Sequence, residues 1–208
     1  MVQGTKFVKG QYTYSYKQEG DYAGINAINW KNIDEDGWGV QLSSKVSTDP
    51  VSGEICSYIN GKPIVSMNDA YYLSQATSID ITGIDTRNVT NMHGMFYDSK
   101  ATVITGLETI DTSKVTNMRS MFINSKASKL NLETFDISNV TASNRMLGDT
   151  KINILNLSNL IISDNTVLVD IFANSTIKEI IVNNEETLNI LKSTSNIPNN
   201  MKFTLKTN

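Results

Sequence analysis

The sequence predicts an α/β solenoid whose coils of about 25 residues each hold a short strand and a short helix. Three observations carry this reading. A ten-residue frame recurs with its leads at Met67, Met92, Met118, Ser143 and Leu168, a step of 25 or 26 each time. Its copies at 92–101 and 118–127 agree at six of ten positions. Hydrophobic content is 39%, low for one thick core but ordinary for a thin stack of repeats with much surface.

Within a coil two patterns alternate. Val89, Met92, Met95 and Phe96 are spaced i, i+3, i+6, i+7, which suits one or two helical turns. The pairs Ile79/Ile81, Leu130/Leu132, Leu155/Leu157 and Ile180/Val182 alternate as short half-buried strands. One such unit cannot bury its own apolar face, whereas stacked units share a continuous core. The result is a leucine-rich-repeat-like solenoid over 65–183. One coil carries an extra residue near Gly106, where a bulge or widened turn is expected.

Both ends of a solenoid need covering. Residues 1–64 read as a β-rich N-terminal cap. Tyr12-Thr13-Tyr14-Ser15-Tyr16 alternates strictly, Trp38 to Leu42 is a further strand, and Asn60-Gly61 joins a hairpin from Glu54 to Ser66. Residues 184–208 read as a helix–strand cap. Glu185 and Glu186 open a helix that Lys192 closes, Pro198 prevents its continuation, and Met201 to Thr207 alternates as a last strand.

Charge narrows the function classes. The chain has 208 residues and a formal charge of −3, with no long basic run, so no nucleic-acid footprint is expected. The single cysteine, Cys56, cannot form an internal disulfide and reads as a small buried hydrophobe in the hairpin. No stretch reaches the ~18 apolar residues of a membrane-spanning helix. Met1 to Gly10 lacks the apolar core of a secretory leader, which leaves a cytoplasmic protein or an excised ectodomain.

Candidate chemistry is sparse. His93 is the only histidine and sits between two core slots, so it is expected to face solvent. The methionines at 67, 92, 95, 118, 121 and 146 form core columns. Asp85, Asp111 and Asp136 form another column, read as Asx turns at the corner after each strand; calcium is the weaker alternative. No catalytic set, cofactor or metal site is expected.

Candidate binding residues fall into three groups. Lys100, Lys126 and Lys151 occupy one slot of three successive coils. Stacked about 4.8 Å apart, they repel by ~1 kcal/mol per pair in water. They read either as a solvated ladder or as a stripe for an anionic partner. Lys129, Asn131 and Asn156 fall in two outward strand columns, Ser78/Lys129/Ile154/Glu179 and Asp80/Asn131/Asn156/Ile181. Tyr12, Tyr14 and Tyr16 share one face of a cap strand, in a region (7–58) that holds eight of the 16 aromatic residues. They are either the core of the cap or a stacked-aromatic contact for glycan or protein.

The motif Ile110-Asp111-Thr112-Ser113-Lys114-Val115-Thr116-Asn117-Met118-Arg119-Ser120-Met121-Phe122 resembles the unit of BspA-like leucine-rich-repeat bacterial surface proteins, roughly FDTSxVTNMxxMF. Ile84 to Phe96 repeats it, and Phe135 to Thr141 is a third, partial copy. The resemblance covers about 64–150 well and 151–182 through apolar slots alone. It implies an extracellular, adhesion-type protein with no catalytic residues to carry over. The expected partner is a host extracellular protein or glycan, bound by a module that is monomeric in isolation. The competing expectation is a structural subunit or decoration of a pilus-like or wall-attached assembly, docking a neighbouring subunit.

Overall fold

The computed structural model of the chain describes residues 12–18, 21–23, 37–42, 45–52, 55, 58–59, 61–164 and 166–206. The chain winds into a β-solenoid of about six turns. At its start lies a five-stranded sheet, in the order β2-β1-β3-β5-β4. Its members are β1 (Tyr12–Gln18), β2 (Asp21–Ala23), β3 (Gly37–Leu42), β4 (Tyr58–Ile59) and β5 (Lys62–Ser66). β4 and β5 form a tight antiparallel hairpin in which Gly61 takes a φ of 76°, a left-handed turn position suited to glycine. Cys56 lies outside the described residues.

From β5 onward all coil-to-coil pairing is parallel. One ladder of single bridges runs Ser66, Asn91, Asn117, Ala142. On another side β6 (Ser78–Asp80) pairs with β7 (Val103–Thr105). β8 (Ile154–Asn156) pairs with β9 (Glu179–Val182), and β9 with β10 (Lys202–Leu205). The β6–β7 and β8–β9 partners are 25 residues apart, the repeat length, and the β9–β10 partners 23.

The expected short helix in each coil is absent. Residues 68–73, 93–98, 119–124 and 144–149 are instead chained turns, and the one α-helix among the described residues is α1 (Glu185–Lys192). The backbone shows why. The N–H groups of Met67, Asp69, Tyr71 and Leu73 donate to the carbonyls of Asn91, His93, Met95 and Tyr97, all at 2.8 Å. The intervening Ala70, Tyr72 and Ser74 close on the carbonyl three residues back, at 3.1–3.2 Å. A helix would spend every N–H within its own segment; here every second one joins the next coil. The alternation needs left-handed residues, which occur twice per coil: Asp69/Leu73, Gly94/Asp98, Ser120/Asn124, Arg145/Asp149 and Asp170/Asn174. Four of these are Asp and two are Asn, the side chains that best tolerate this region after glycine.

The extra residue of the coil at 101–111 is absorbed by a 3₁₀ turn, Leu107–Thr109, after Gly106 at φ 86°. Gly106 packs on the backbone of Ile81 and Thr82, where a Cβ would collide. This is a 3₁₀ turn rather than a strand bulge.

The core runs along the axis as columns. The six methionines at 67, 92, 95, 118, 121 and 146 are at most 5% exposed. Tyr71, Phe96 and Phe122 stack with centroids 5.1 and 5.3 Å apart and planes within 7°. Such pairs add about 0.5–1.5 kcal/mol each beyond burial. The column continues through Leu147 to Phe172, which meets Phe203 of β10 edge-on at 6.5 Å. α1 covers the far end with Leu188 and Leu191 buried, and the Asn184 side chain caps it by accepting from the Thr187 N–H at 2.7 Å.

The corners at Asp85, Asp111 and Asp136 explain their own sequence. The Asp111 and Asp136 Oδ1 atoms each accept from the N–H and hydroxyl of the serine two residues on. Asp85 makes the same turn with the Arg87 N–H. These are the Asx turns the column suggests. The threonine between is buried and bridges coils. The Thr112 hydroxyl donates to the Asp136 carbonyl (2.9 Å) and accepts from its N–H (2.8 Å), and Thr86 does the same to Asp111. One coil further the threonine is replaced by Ile137, and the backbones close directly, with the Ile137 N–H 2.8 Å from the Ile161 carbonyl. Thr112→Val keeps the shape but strands both Asp136 groups. It is expected to cost about 1–3 kcal/mol in denaturant unfolding; an unchanged midpoint would show that solvent replaces the hydroxyl.

Candidate functional site

The lysine slot follows from a Ser-Lys-Ala run. Ser74, Ser99 and Ser125 are buried, and each hydroxyl accepts from the N–H two residues on. That turn points the next side chain outward and the following alanine inward. The slot therefore reads Gln75, Lys100, Lys126, Lys151, Thr176 along the axis. Its spacing is held by backbone bonds such as the Lys100 N–H to the Ser74 carbonyl (2.8 Å) and the Lys126 N–H to the Ser99 carbonyl (3.0 Å). Lys100 and Lys151 are exposed. Lys126 is half-buried and donates from Nζ to Asn124 Oδ1 at 2.7 Å.

The strand face adjoins this slot. Its outer column runs Ser78, Val103, Lys129, Ile154, Glu179, Lys202. Lys129 is exposed, flanked by Val103 (50% exposed) and Ile154 (57%). Val103 and Thr105, absent from the columns expected above, fill the places between Ser78/Asp80 and Lys129/Asn131. Their coil is the one with the extra residue, and apolar alternation alone does not register them. The Asn131 and Asn156 amides are engaged inside the molecule. Asn131 Nδ2 approaches Glu108 Oε2 at 3.5 Å, and Asn156 bonds Glu133 while accepting from the Ser158 N–H at 3.1 Å.

None of Lys100, Lys126, Lys129 and Lys151 is paired with a carboxylate among the described residues. Four uncompensated ammonium groups thus lie on one side of three coils, in a chain whose net charge is −3. Tyr12, Tyr14 and Tyr16 are not brought to this patch. They lie on β1 opposite Leu42, Val40 and Trp38, with β3 and the coil led by Met67 in between. The surroundings of their side chains lie outside the described part of the structure.

A second polar cluster escaped the sequence reading. His93 does not simply face solvent: it is 36% exposed, with Nδ1 3.1 Å from Asn68 Oδ1 and 3.7 Å from Asp69 Oδ1. Asn68 Nδ2 holds the other Asp69 oxygen at 3.1 Å. The carboxylate fits because the residue above it is Gly94, whose Cβ would collide with it. Lys45 Nζ sits 5.0 Å from the Tyr72 ring, which leans on Tyr97 at 5.2 Å. Burial raises the Asp69 carboxyl above its ordinary range, opposed by His93 and Lys45. Burial lowers the Lys45 ammonium, opposed by Asp69. Burial also lowers His93; Asp69 opposes this and Arg119 adds to it. His93 is bonded to an amide rather than to a hydroxyl or thiol, so the geometry holds charges in place and does not activate a nucleophile. The only signal in the sequence was Gly94 between a histidine and a methionine. Among the described residues no three His, Cys, Asp or Glu side chains come together as a metal site.

The lowered His93 sets a pH dependence. Its contribution to stability is complete above the unfolded value, about 6.5, and is lost as pH falls towards the lower folded value. Asp69, raised by burial, has the opposite sign and acts further into acid, from its raised folded value down to about 3.9. The melting temperature is therefore expected to drop as pH moves just below about 6.5, with a shallower drop in His93→Gln. Identical slopes for the two proteins would remove His93 from the account.

No curated protein and no solved structure matches the chain. The family model described as "Mycoplasma protein of unknown function, DUF285" matches residues 65–184, which is the whole of the chained-turn array and more than half of the sequence. The chain belongs to that family.

Proposed function

We propose that the chain is a non-enzymatic recognition module of a bacterial cell surface, related to the BspA-like leucine-rich-repeat proteins, and that its basic strand face binds an anionic host protein or glycan. The observation that carries this is the group of four lysines without carboxylate partners among the described residues, on three rigidly spaced coils. Their backbones are fixed by the intercoil ladder, so the charges stay together without help from a partner. A polyanion meeting several of them at once gains from multivalency, while each contact alone is weak. Val103 and Ile154 add apolar contact beside the charges. The Asp-Thr-x-x-Val-Thr-Asn-Met unit, present at 85–92 and 111–118, supports the likeness to surface proteins, and the engaged Asn131 and Asn156 amides make the lysines the main contacts.

One observation favours a second reading, a subunit of a surface assembly. The outer edge of β10 has no partner strand among the described residues. An open edge can receive a strand from a neighbour, although Lys202 on it discourages indiscriminate pairing.

Surface plasmon resonance of the full chain over sulfated and carboxylated polysaccharides, neutral polysaccharides and matrix proteins separates these readings. The expected result is binding to an acidic surface that weakens with salt and is lost in Lys100→Ala/Lys126→Ala/Lys129→Ala/Lys151→Ala. It should be kept in Tyr12→Ala/Tyr14→Ala/Tyr16→Ala. Equal binding by wild type and the lysine variant would sink the basic-face reading. Binding lost only in the tyrosine variant would move the site to β1. Concentration-dependent self-association without any ligand would favour assembly.

A further inference from the structure

The outer side of the chained turns changes character along the axis. The residues stacked at one position are Tyr72, Tyr97, Ile123, Gly148 and Ala173, a register fixed by bonds such as Leu73 N–H to Tyr97 O and Asp149 N–H to Ala173 O. The first two coils cover this surface with phenol rings. At Gly148 and Ala173 the column shrinks, and an open cleft of about 520 Å³ lies there, with Ala173 in its lining. That size falls within the range of small-ligand sites, about 300–1,000 Å³.

The walls of the cleft are polar and come from equivalent positions of successive coils. Arg145, Asp170 and Asn196 line it, and all three are left-handed, at φ 55°, 53° and 53°. Arg145 is held by Asp149, with Nη2 2.6 Å from Oδ2, so part of its guanidinium remains unused. Asp170 Oδ1 accepts from the Ser195 hydroxyl and from Asn196 Nδ2, while Oδ2 makes no bond among the described residues. Those bonds keep the Asp170 carboxyl below its ordinary range, so it is ionised near neutral pH. The Asn174 and Asn199 amides also line the cleft and have no hydrogen-bond partner among the described residues. Ile197 and Pro198 supply an apolar stretch.

We infer that this cleft binds a single neutral sugar ring, as one unit of a glycan. A carboxylate, two free amides and part of a guanidinium are planar groups that bond vicinal hydroxyls in pairs. The apolar stretch of Ile197 and Pro198 suits the C–H face of a ring. Arg145 faces both Asp149 and Asp170, so the carboxylates outnumber the cation, which disfavours an acidic ligand. No aromatic residue lines the cleft, so a nucleobase has no stacking partner there. The inference rests on the recognition reading but uses different residues from the basic face, so the two can fail separately.

The test is a titration of the full chain, labelled with nitrogen-15, with glucose, galactose, mannose, N-acetylglucosamine and glucuronate. The expected result is saturable amide shifts, with at least one neutral sugar, confined to residues 145–149, 170–175 and 196–199. Ala173→Tyr, which restores the ring of the early coils, should abolish them. Asn199→Ala, at an exposed position outside the core, should weaken binding roughly tenfold. Retained binding of the acidic polysaccharide by both variants would show that they are folded and that the basic face stands apart. Absence of localised shifts with every neutral sugar overturns the inference. So does binding of glucuronate alone, or undiminished binding by both variants.

Discussion

The architecture depends on how one coil spends its backbone N–H groups. In each chained-turn segment every second N–H crosses to the next coil and the others close turns within their own. This gives each segment both a local conformation and a neighbour. Neither half suffices alone. Isolated consecutive turns are marginal, and a parallel ladder without turns cannot bring the chain around a coil. The condition is stringent because it demands left-handed backbone at two fixed places per coil. Leu73, Ser120 and Arg145 meet it without the usual residue types, at about 1–2 kcal/mol each. The flanking buried columns, with Tyr71, Phe96 and Phe122 in register, offset that strain.

The same constraint explains what the sequence revealed. The coil length, the core columns and the Asx corners were readable because each repeats in residue type: Met above Met, Phe above Phe, Asp above Asp. The sequence suggests helices where the chain forms turns because apolar spacing of three and four is shared by an α-helix and by successive β-turns. Both bring every third or fourth side chain to one face. A discriminating signal was present in the second left-handed column, where Asp98, Asn124, Asp149 and Asn174 follow one another. Four such residues in consecutive repeats point to a left-handed position rather than to a helix interior, where Asp and Asn are poor formers.

The candidate surfaces were less legible, for a different reason. A stripe of lysines shows in sequence, but its lack of carboxylate partners is a fact of three dimensions. Glu108 and Glu133 lie close by in sequence, yet they turn to Asn131 and Asn156. His93 looked exposed because its neighbours fill the core. Its burial comes from Asn68 and Asp69 one coil earlier, across a glycine. The shrinkage from Tyr72 to Ala173 could be read only after the register between coils was known to the residue.

A stack of this kind separates stability from recognition with unusual clarity. Inward columns and the threonine bridges repeat because each coil must fit both neighbours. Outward columns make no such demand, and they change chemical character along the axis: tyrosine to alanine on the turn side, valine to lysine to isoleucine on the strand side. A change of chemical character at outward positions is what a scaffold permits when its ligands are decided locally. The two faces can then carry opposite chemistry within a few coils. One concentrates lysines without carboxylate partners among the described residues, and the other gathers a guanidinium already paired with Asp149, a second carboxylate and amides. Because the backbone under the lysines and under Arg145 is held by the same kind of intercoil bonds, a ligand on either face meets part of its site already in place, and less ordering remains to oppose binding.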